Sequence, residues 1–276
     1  MLRGKKGVDL SNWQAALASA APLTDAGAGV AILKLSEGRG FADGSFSRFY
    51  DMCREAGIAV GAYVYSHSAD ADGGRAEVEY ALRLLDGREL ELPLYLDIEG
   101  DILSRGGTAL TASARAFGER VSAAGYRPGV YASLYPLREL LGTEELKNEG
   151  FSVWCAAYND SGPGIDCDIW QHSCSGRVPG YSGNVDMDIM INDVISRPPH
   201  AEPAEKRRFA ADMSTLCRGF YGTQVEALQL LLGVEPGGVF DAATEEAVRS
   251  FQRLCGIAAD GIAGPLTYSK LKETLK

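Results

Sequence analysis

No stretch of the sequence approaches the roughly 18 uninterrupted apolar residues that a membrane-spanning helix needs. The first residues, Met1-Leu-Arg-Gly-Lys-Lys-Gly7, also lack the apolar segment of a secretory leader, so the chain reads as soluble, without a signal peptide and without a membrane partner. Positive charge is scarce as well: 27 Lys+Arg stand against 37 Asp+Glu, for a net charge of −10. Residues 1–195 hold 17 basic against 27 acidic residues, and residues 196–276 hold 10 against 10. An acidic first part without a basic, aromatic-interleaved stripe excludes nucleic acid as a partner. Histidine is rare (3), and the 6 cysteines form no Cys-x-x-Cys pair, so neither a metal nor a cofactor is expected. Cys167 and Cys174 lie at opposite ends of a predicted strand, beyond disulfide reach of one another, while a long-range pairing such as Cys217 with Cys255 stays open. What is there is ordinary globular material: 46% hydrophobic, 23% charged and 9% aromatic residues, enough for one large domain or two unequal ones.

Up to about residue 195, short β-branched runs alternate with amphipathic segments. Eight strands are predicted: residues 6–10, 30–36, 59–65, 92–98, 128–133, 151–158, 168–172 and 185–191. Helical periodicity fills the gaps at 46–56, 74–85 and 109–124, whereas the gaps after Tyr158 and His172 are rich in Gly, Ser and Pro. Early βα alternation with late helices missing predicts an α/β fold of the irregular TIM-like (β/α) barrel kind. A doubly wound open sheet competes, but it usually needs helices on both faces, and the last strands have too few.

Residues 196–211 begin Ser-Arg-Pro-Pro-His-Ala-Glu-Pro, a composition that disfavours helix and sheet and reads as a linker. Beyond it, helices are predicted over 223–232, 242–254 after the N-cap Asp241, and 265–275 with proline at the first helical position. Leu228-Gln229 echoes Phe251-Gln252, and the Gly238 segment echoes the Gly261 segment, which points to a small, pseudo-repeated all-α three-helix domain over 212–276. Such a unit has a thin core and suits an accessory module, leaving catalysis to residues 1–195.

Reacting groups of a βα barrel sit at the C-terminal ends of its strands, so carboxylates there are the first candidates. Asp9 ends the first predicted strand, Glu37 follows the second, Asp97 and Glu99 end the fourth, and Asp186 with Asp188 opens the eighth. In Leu94-Tyr-Leu-Asp97-Ile-Glu99, residues i and i+2 of a core strand face one side. Two such acids repel, one pKa rises, and the pair can offer a proton donor beside an ionised partner, as glycoside hydrolysis requires. Tyr63, Tyr131, Trp154, Tyr158 and Trp170 are individually good core formers; as a set around the acids they suit the C–H faces of sugars, and Tyr63, Tyr131 and Trp154 are expected in the cleft.

Taken together, Gly7-Val-Asp9-Leu-Ser11-x-x-Gln14, Gly61-Ala-Tyr63, Tyr95-Leu-Asp97-Ile-Glu99, Gly129-Val-Tyr131, Trp154-x-x-Ala157-Tyr158, Trp170-Gln171 and Gly183-Asn-Val-Asp186 resemble the family 25 glycoside hydrolases, the Chalaropsis-type lysozymes. The resemblance spans about residues 4–193 in the family's order. It implies N-acetylmuramidase activity on the β-1,4 bond between N-acetylmuramic acid and N-acetylglucosamine, with a retaining, substrate-assisted mechanism. Glu99 then acts as general acid/base and Asp97 orients the 2-acetamido group. Asp9 and Asp186 match the other acidic positions, and Gln171, Glu37 and Asp188 join the five aromatics as substrate-binding candidates. Two departures stand out: Val64 where the family often has histidine, and the extra acid Asp188.

The tail resembles the type 1 peptidoglycan-binding domain through Val225-x-x-Leu228-Gln229, Gly238-Val-Phe240, Thr244, Phe251-Gln252 and Asp260-Gly261-x-x-Gly264-x-x-Thr267. The implied partner is the bacterial peptidoglycan strand, met at the cell wall by a monomer that is either a secreted autolysin or a phage endolysin. A family 18-like chitinase or N-acetylglucosaminidase needs acids at positions 92 and 95 as well, where this chain has Leu92 and Tyr95. A non-catalytic wall-binding protein is the other alternative, and decay of that kind is expected to erase first the acids that are all present here.

Overall fold

The computed structural model describes residues 2–194, 215–220 and 222–274. The chain divides into two compact units, Met1–Pro198 and Pro199–Lys276. The predicted linker, 196–211, lies outside the described residues.

The first unit is an eight-stranded closed barrel with a small appended strand. Its strands are β1 (Lys6–Leu10), β2 (Ala28–Glu37), β3 (Phe41–Ala42), β4 (Ala59–Tyr65), β5 (Leu94–Asp97), β6 (Pro128–Ser133), β7 (Ser152–Ala156), β8 (Ile169–Gly176) and β9 (Val185–Met190). They hydrogen-bond in the order β1-β9-β8-β7-β6-β5-β4-β2-β3, and pairing of β1 with β2 closes the ring. All eight predicted strands form, and the expected irregular barrel is the fold observed. The two-residue β3, which the sequence pattern did not reveal, pairs antiparallel with the end of β2.

Pairings from β1 through β2, β4, β5, β6 and β7 to β8 are parallel. β9 runs antiparallel to both of its neighbours. Its first residues therefore lie at the same end of the barrel as the last residues of the other strands. The reversal needs no crossover helix, and among the described residues none follows β7 or β8.

Helices α1 (Ala21–Asp25), α2 (Phe46–Glu55), α3 (Ala71–Leu85), α4 (Gly107–Ala123) and α5 (Thr143–Asn148) belong to the earlier connections. In α2 the buried residues are Phe46, Phe49 and Cys53, spaced as one helical face. The Asp70 carboxylate caps α3 by accepting from the Gly73 N–H at 2.7 Å.

Alternation along the strands makes two cores. Val8, Leu10, Leu33, Leu35, Leu94, Leu96, Val130 and Val153 point outward under the helices. Val30, Ile32, Leu92, Tyr95, Tyr131, Trp154, Ile169 and Met190 point inward and fill the barrel. Glycine makes room for this filling: a Cβ at Gly129 would stand 2.2 Å from the Tyr95 ring. The Tyr95 hydroxyl, fully buried, meets the Ser152 hydroxyl at 3.0 Å. Apart from the Tyr95–Ser152 pair, the deep interior of the barrel is thus apolar, and its acidic side chains lie towards the end where the parallel strands finish.

The second unit contains α6 (Thr223–Leu232), α7 (Ala242–Leu254) and α8 (Pro265–Thr274), the three predicted helices, around Leu216, Val225, Leu228, Phe240, Val248 and Leu271. Its two repeats are stapled alike. Gln229 accepts from the Gly238 N–H at 2.9 Å and donates to the Val239 carbonyl at 3.0 Å and the Thr244 hydroxyl at 2.8 Å. Gln252 accepts from the Gly261 N–H and donates to the Ile262 carbonyl and the Thr267 hydroxyl, all at 3.0 Å. Both glycines have positive φ, which is the backbone state these turns require. All six cysteines are unpaired.

Candidate active site

The inward-facing residues at the C-terminal ends of the parallel strands form an acidic mouth. Asp9 comes from β1, Asp97 ends β5, and Glu99 stands two residues further on at the start of a short 3-10 turn, Gly100–Arg105. β9 supplies Asp186 opposite Asp9, and Asp188 opposite Gly7 and Gln171. Reversal of β9 is why two acids at the start of a strand meet acids at the ends of others.

Asp97 is 4% exposed, and its Oδ1 has no hydrogen-bond partner. Burial first, then the neighbouring Glu99, hold its pKa well above the usual aspartate value, while Lys34 opposes the shift. Glu99 is half-buried, and among the described residues its carboxylate accepts no hydrogen bond. Desolvation also raises its pKa, against the pull of Lys34. Glu99 therefore keeps its proton into a range where an exposed glutamate has lost it, while one side reaches solvent. Asp97 is the more deeply buried of the pair and Glu99 the more open, and burial raises both pKa values.

Asp9, Asp186 and Asp188 form a second carboxylate group. Burial, then Asp188 and Asp186, raise the pKa of Asp9 well above normal, and burial raises that of Asp186 as well. The Gln171 amide donates to Asp9 at 2.8 Å, and the Tyr131 and Tyr158 hydroxyls donate to the Gln171 carbonyl oxygen at 2.9 and 3.0 Å. Asp188 is 1% exposed and accepts from the Trp154 indole N–H at 2.8 Å, with burial pushing its pKa to about 8. Its Oδ2 has no partner. Asp188 thus belongs to the floor beneath the mouth, and Asp186 is the more open of the two.

Aromatics surround these acids at different depths. Trp154 is 2% exposed, with Tyr131 at 4.3 Å, Tyr95 at 5.4 Å and Tyr63 at 6.1 Å between ring centroids. It supports the cleft from below and offers no open face. Tyr63 is half-buried and Tyr158 is 56% exposed. Trp170 is corrected by the structure: Gln171 points into the mouth, so its neighbour on β8 points outward, packs on the outer core and donates its indole N–H to the Ala157 carbonyl. It does not line the cleft.

Three participants had not been read from the sequence. Lys34, a base within the apolar run of β2, points into the barrel and acts on both Asp97 and Glu99. It pairs with Glu37 at 2.8 Å and lies 5.0 Å from the centre of the Tyr65 ring. Its signal was a lone cation in the run Val30–Leu35, otherwise built of Val, Ala, Ile and Leu. Glu37, a predicted substrate contact, is held by Lys34 and by His67 at 3.0 Å. Glu77, 1% exposed on α3, accepts from the Ser66 hydroxyl and the His67 backbone N–H, fixing the loop after β4. Asp43 ties two loops at the mouth by accepting from the Asn12 and Ser45 backbone N–H groups, each at 2.8 Å. A cavity of about 940 Å³ lies between Glu37, Phe41, His67, Asp70 and Arg105; none of the five acids of the mouth lines it. No group of metal-ligating side chains occurs among the described residues.

Residues 8–181 match the sequence profile of Glycosyl hydrolases family 25. The chain belongs to this family. Its tail, residues 221–271, matches the putative peptidoglycan binding domain. The family 25 chain is 26% identical to the autolytic lysozyme of Clostridium acetobutylicum over 276 aligned residues, 97% of this chain and 79% of that protein. The lysozyme structure from Streptomyces coelicolor superposes with a TM-score of 0.57 at 25% identity, covering 70% of this chain and 94% of that one. Over the tail, the zinc D-Ala-D-Ala carboxypeptidase of Streptomyces albus G is 43% identical across 67 residues, 21% of this chain and 26% of that protein. The family 25 protein is therefore a glycoside hydrolase of the lysozyme kind, a peptidoglycan hydrolase that carries a peptidoglycan-binding domain.

Proposed function

We propose that the barrel is an N-acetylmuramidase with Glu99 as general acid/base. The observation that carries this reading is the pair at the end of β5: Asp97, buried with an unpartnered oxygen, beside Glu99, half-open with a raised pKa. In the first step Glu99 gives its proton to the glycosidic oxygen as the bond to C1 of N-acetylmuramic acid breaks. The carbonyl oxygen of that sugar's own 2-acetamido group bonds to C1, and Asp97 accepts from the acetamido N–H. In the second step ionised Glu99 takes a proton from water, the water oxygen bonds to C1, and the acetamido ring reopens. Two inversions leave the β configuration retained.

Asp9 and Asp186 stabilise positive charge developing at C1, Gln171 and Asp188 hold the constellation in place, and Tyr63, Tyr131 and Tyr158 bound the donor sugar. Glu37 acts chiefly through Lys34. The module boundaries follow the same reading: residues 1–195 cut, 196–211 link, and 212–276 hold the wall. A tail shared with a carboxypeptidase of different chemistry supports its role as a transferable anchor. The protein works as a monomer at the bacterial cell wall, on glycan strands, without cofactor or nucleic acid. Reducing-end analysis of digested peptidoglycan tests the specificity. Muramic acid at the new ends is expected, and glucosamine there overturns the assignment. NMR of the first-formed product from a short fragment tests the mechanism: β anomer is expected, and initial α anomer excludes acetamido attack.

A further inference from the structure

Among the described residues of the barrel unit, four large apolar side chains are exposed: Trp13 (85%), Phe41 (46%), Tyr135 (61%) and Tyr158 (56%). All four are aromatic, and all four follow the C-terminal ends of strands, namely β1, β2, β6 and β7. They fall in two pairs. Three strands separate β1 from β6 in either direction around the ring, so Trp13 and Tyr135 stand on opposite sides of the mouth with the acids between them.

Trp13 is held ready. It sits in a single 3-10 turn, Asn12–Gln14, where the Ser11 hydroxyl accepts from its N–H at 3.2 Å and the Gln14 carboxamide oxygen accepts from the Ser11 N–H at 3.0 Å. The Asn12 N–H donates to Asp43, which fastens the turn to the segment after β3. The Gln14 amide donates to the Asn184 carbonyl at 3.1 Å, which fastens it to the segment before Asp186. The backbone that carries this exposed indole is pinned from both sides, so the turn itself is ordered before any ligand arrives. Across the mouth, Tyr135 precedes Pro136, the first residue of a short π-helical turn, Pro136–Leu140.

We propose that Trp13 and Tyr135 are stacking platforms for sugars beyond the cleaved bond, one on each side of the barrel mouth. This rests on the peptidoglycan-hydrolase reading. The chemistry selects a saccharide: flat apolar faces stand singly, separated by carboxylates and hydroxyls, and match a ligand whose rings alternate C–H faces with polar edges. A protein partner would call instead for a contiguous apolar patch.

The test uses the full chain and glycan oligomers of graded length. Trp154 is buried and Trp170 half-buried, so Trp13 dominates the tryptophan emission that acrylamide quenches. In a Glu99→Gln background, long oligomers are expected to protect that emission and the shortest bound fragments to leave it unchanged. In the otherwise wild-type enzyme, Trp13→Ala and Tyr135→Ala should each lower kcat/KM on long strands by about three- to tenfold and leave turnover of the shortest cleavable fragment unaltered. Cleavage without length-dependent protection, or equal losses on short and long substrates, overturns the inference while leaving the hydrolase intact. Absence of glycan cleavage by the wild-type protein overturns the hydrolase reading itself, and the platforms with it.

Discussion

Carboxylates of the barrel and of the tail are the same chemical groups under opposite conditions. In the mouth, Asp9, Asp97, Glu99, Asp186 and Asp188 all have raised pKa values, with loss of water as the leading cause. In the tail, Asp241 and Asp260 are exposed and Glu245 is half-buried, and all three are lowered: Asp241 and Asp260 by backbone N–H groups they cap, Glu245 by Arg249. The tail places its acids where they stabilise the fold; the barrel places them where they cost stability. Such a cost at the end of several strands, on one face, is the physical mark of a site kept for chemistry. It also gives the units opposite pH responses. An acid with a raised pKa favours the folded state below its unfolded value, and that contribution is lost as pH rises through the folded value. An acid with a lowered pKa contributes above its unfolded value and loses that as pH falls through the folded one. Rising pH from about 4 to 8 should therefore weaken the barrel, and acidification below about 4 should weaken the tail.

The sharpest way to break the comparison is Glu99→Gln. It keeps shape and removes the transferable proton, so lysis of purified walls, followed by turbidity, should fall by about 10² to 10⁴ without any loss of thermal stability. Lysis near the wild-type rate would mean that the raised acid is a passive casualty of burial. Next in size is Gln229→Ala in the tail. It strips the Gly238 N–H of its acceptor and the Val239 carbonyl and Thr244 hydroxyl of a donor, inside a unit with a thin core. A loss of about 2 kcal/mol or more is expected, seen as early loss of the tail's helical signal while the barrel's transition stays in place. A simultaneous shift of both transitions would show that the units do not fold as separate modules.

Much of this contrast was legible beforehand because it rests on local pattern. Asp97 and Glu99 announce themselves as acids closing an apolar run, and Gln229 and Gln252 by their repeated surroundings. What pattern could not carry is direction and reach. The reversal of β9, which brings Asp186 to Asp9, is invisible in a run that reads identically either way. Trp170 and Gln171 are adjacent, and which of them faces the mouth depends on register, which the strand pairings settle. Asp43, a loop acid among many, acquires its role only when the turn after β1 folds onto it.

Asp188→Asn sharpens the comparison from the side of stability. The amide oxygen can still accept from the Trp154 indole, and the ionisable group that burial holds near a pKa of about 8 is gone. The wild-type barrel gives up stability between the ordinary aspartate value of 3.8 and about pH 8, because the folded acid keeps a proton that the unfolded chain releases. The variant should melt higher at pH 7, by more than about 1 kcal/mol, with the gap closing towards pH 4 and levelling above pH 8. A gap that does not vary with pH would assign the effect to packing alone.

The smallest effect expected is that of Lys34→Met, and it tests whether the mouth is tuned or merely buried. Lys34 is the cation that opposes the upward shift of both Asp97 and Glu99, and its own charge is partly countered by Glu37. Asp186 pushes Glu99 in the opposite sense, and Glu37 does the same to Asp97. Removing the cation should raise both acids further, so the alkaline limb of the rate profile, where Glu99 gives up its proton, should move up by less than about one pH unit. Because Asp97 and Glu99 influence each other, the limb reports the pair rather than either residue alone. Glu37→Gln should move it the other way, since it unmasks Lys34 and removes a negative charge acting on Asp97. Opposite displacements in the two variants would establish Lys34 as the setting of the acid's working range. A limb unmoved in both would mean that desolvation alone fixes it, and that the cation on β2 serves only to hold Glu37 and His67 in place.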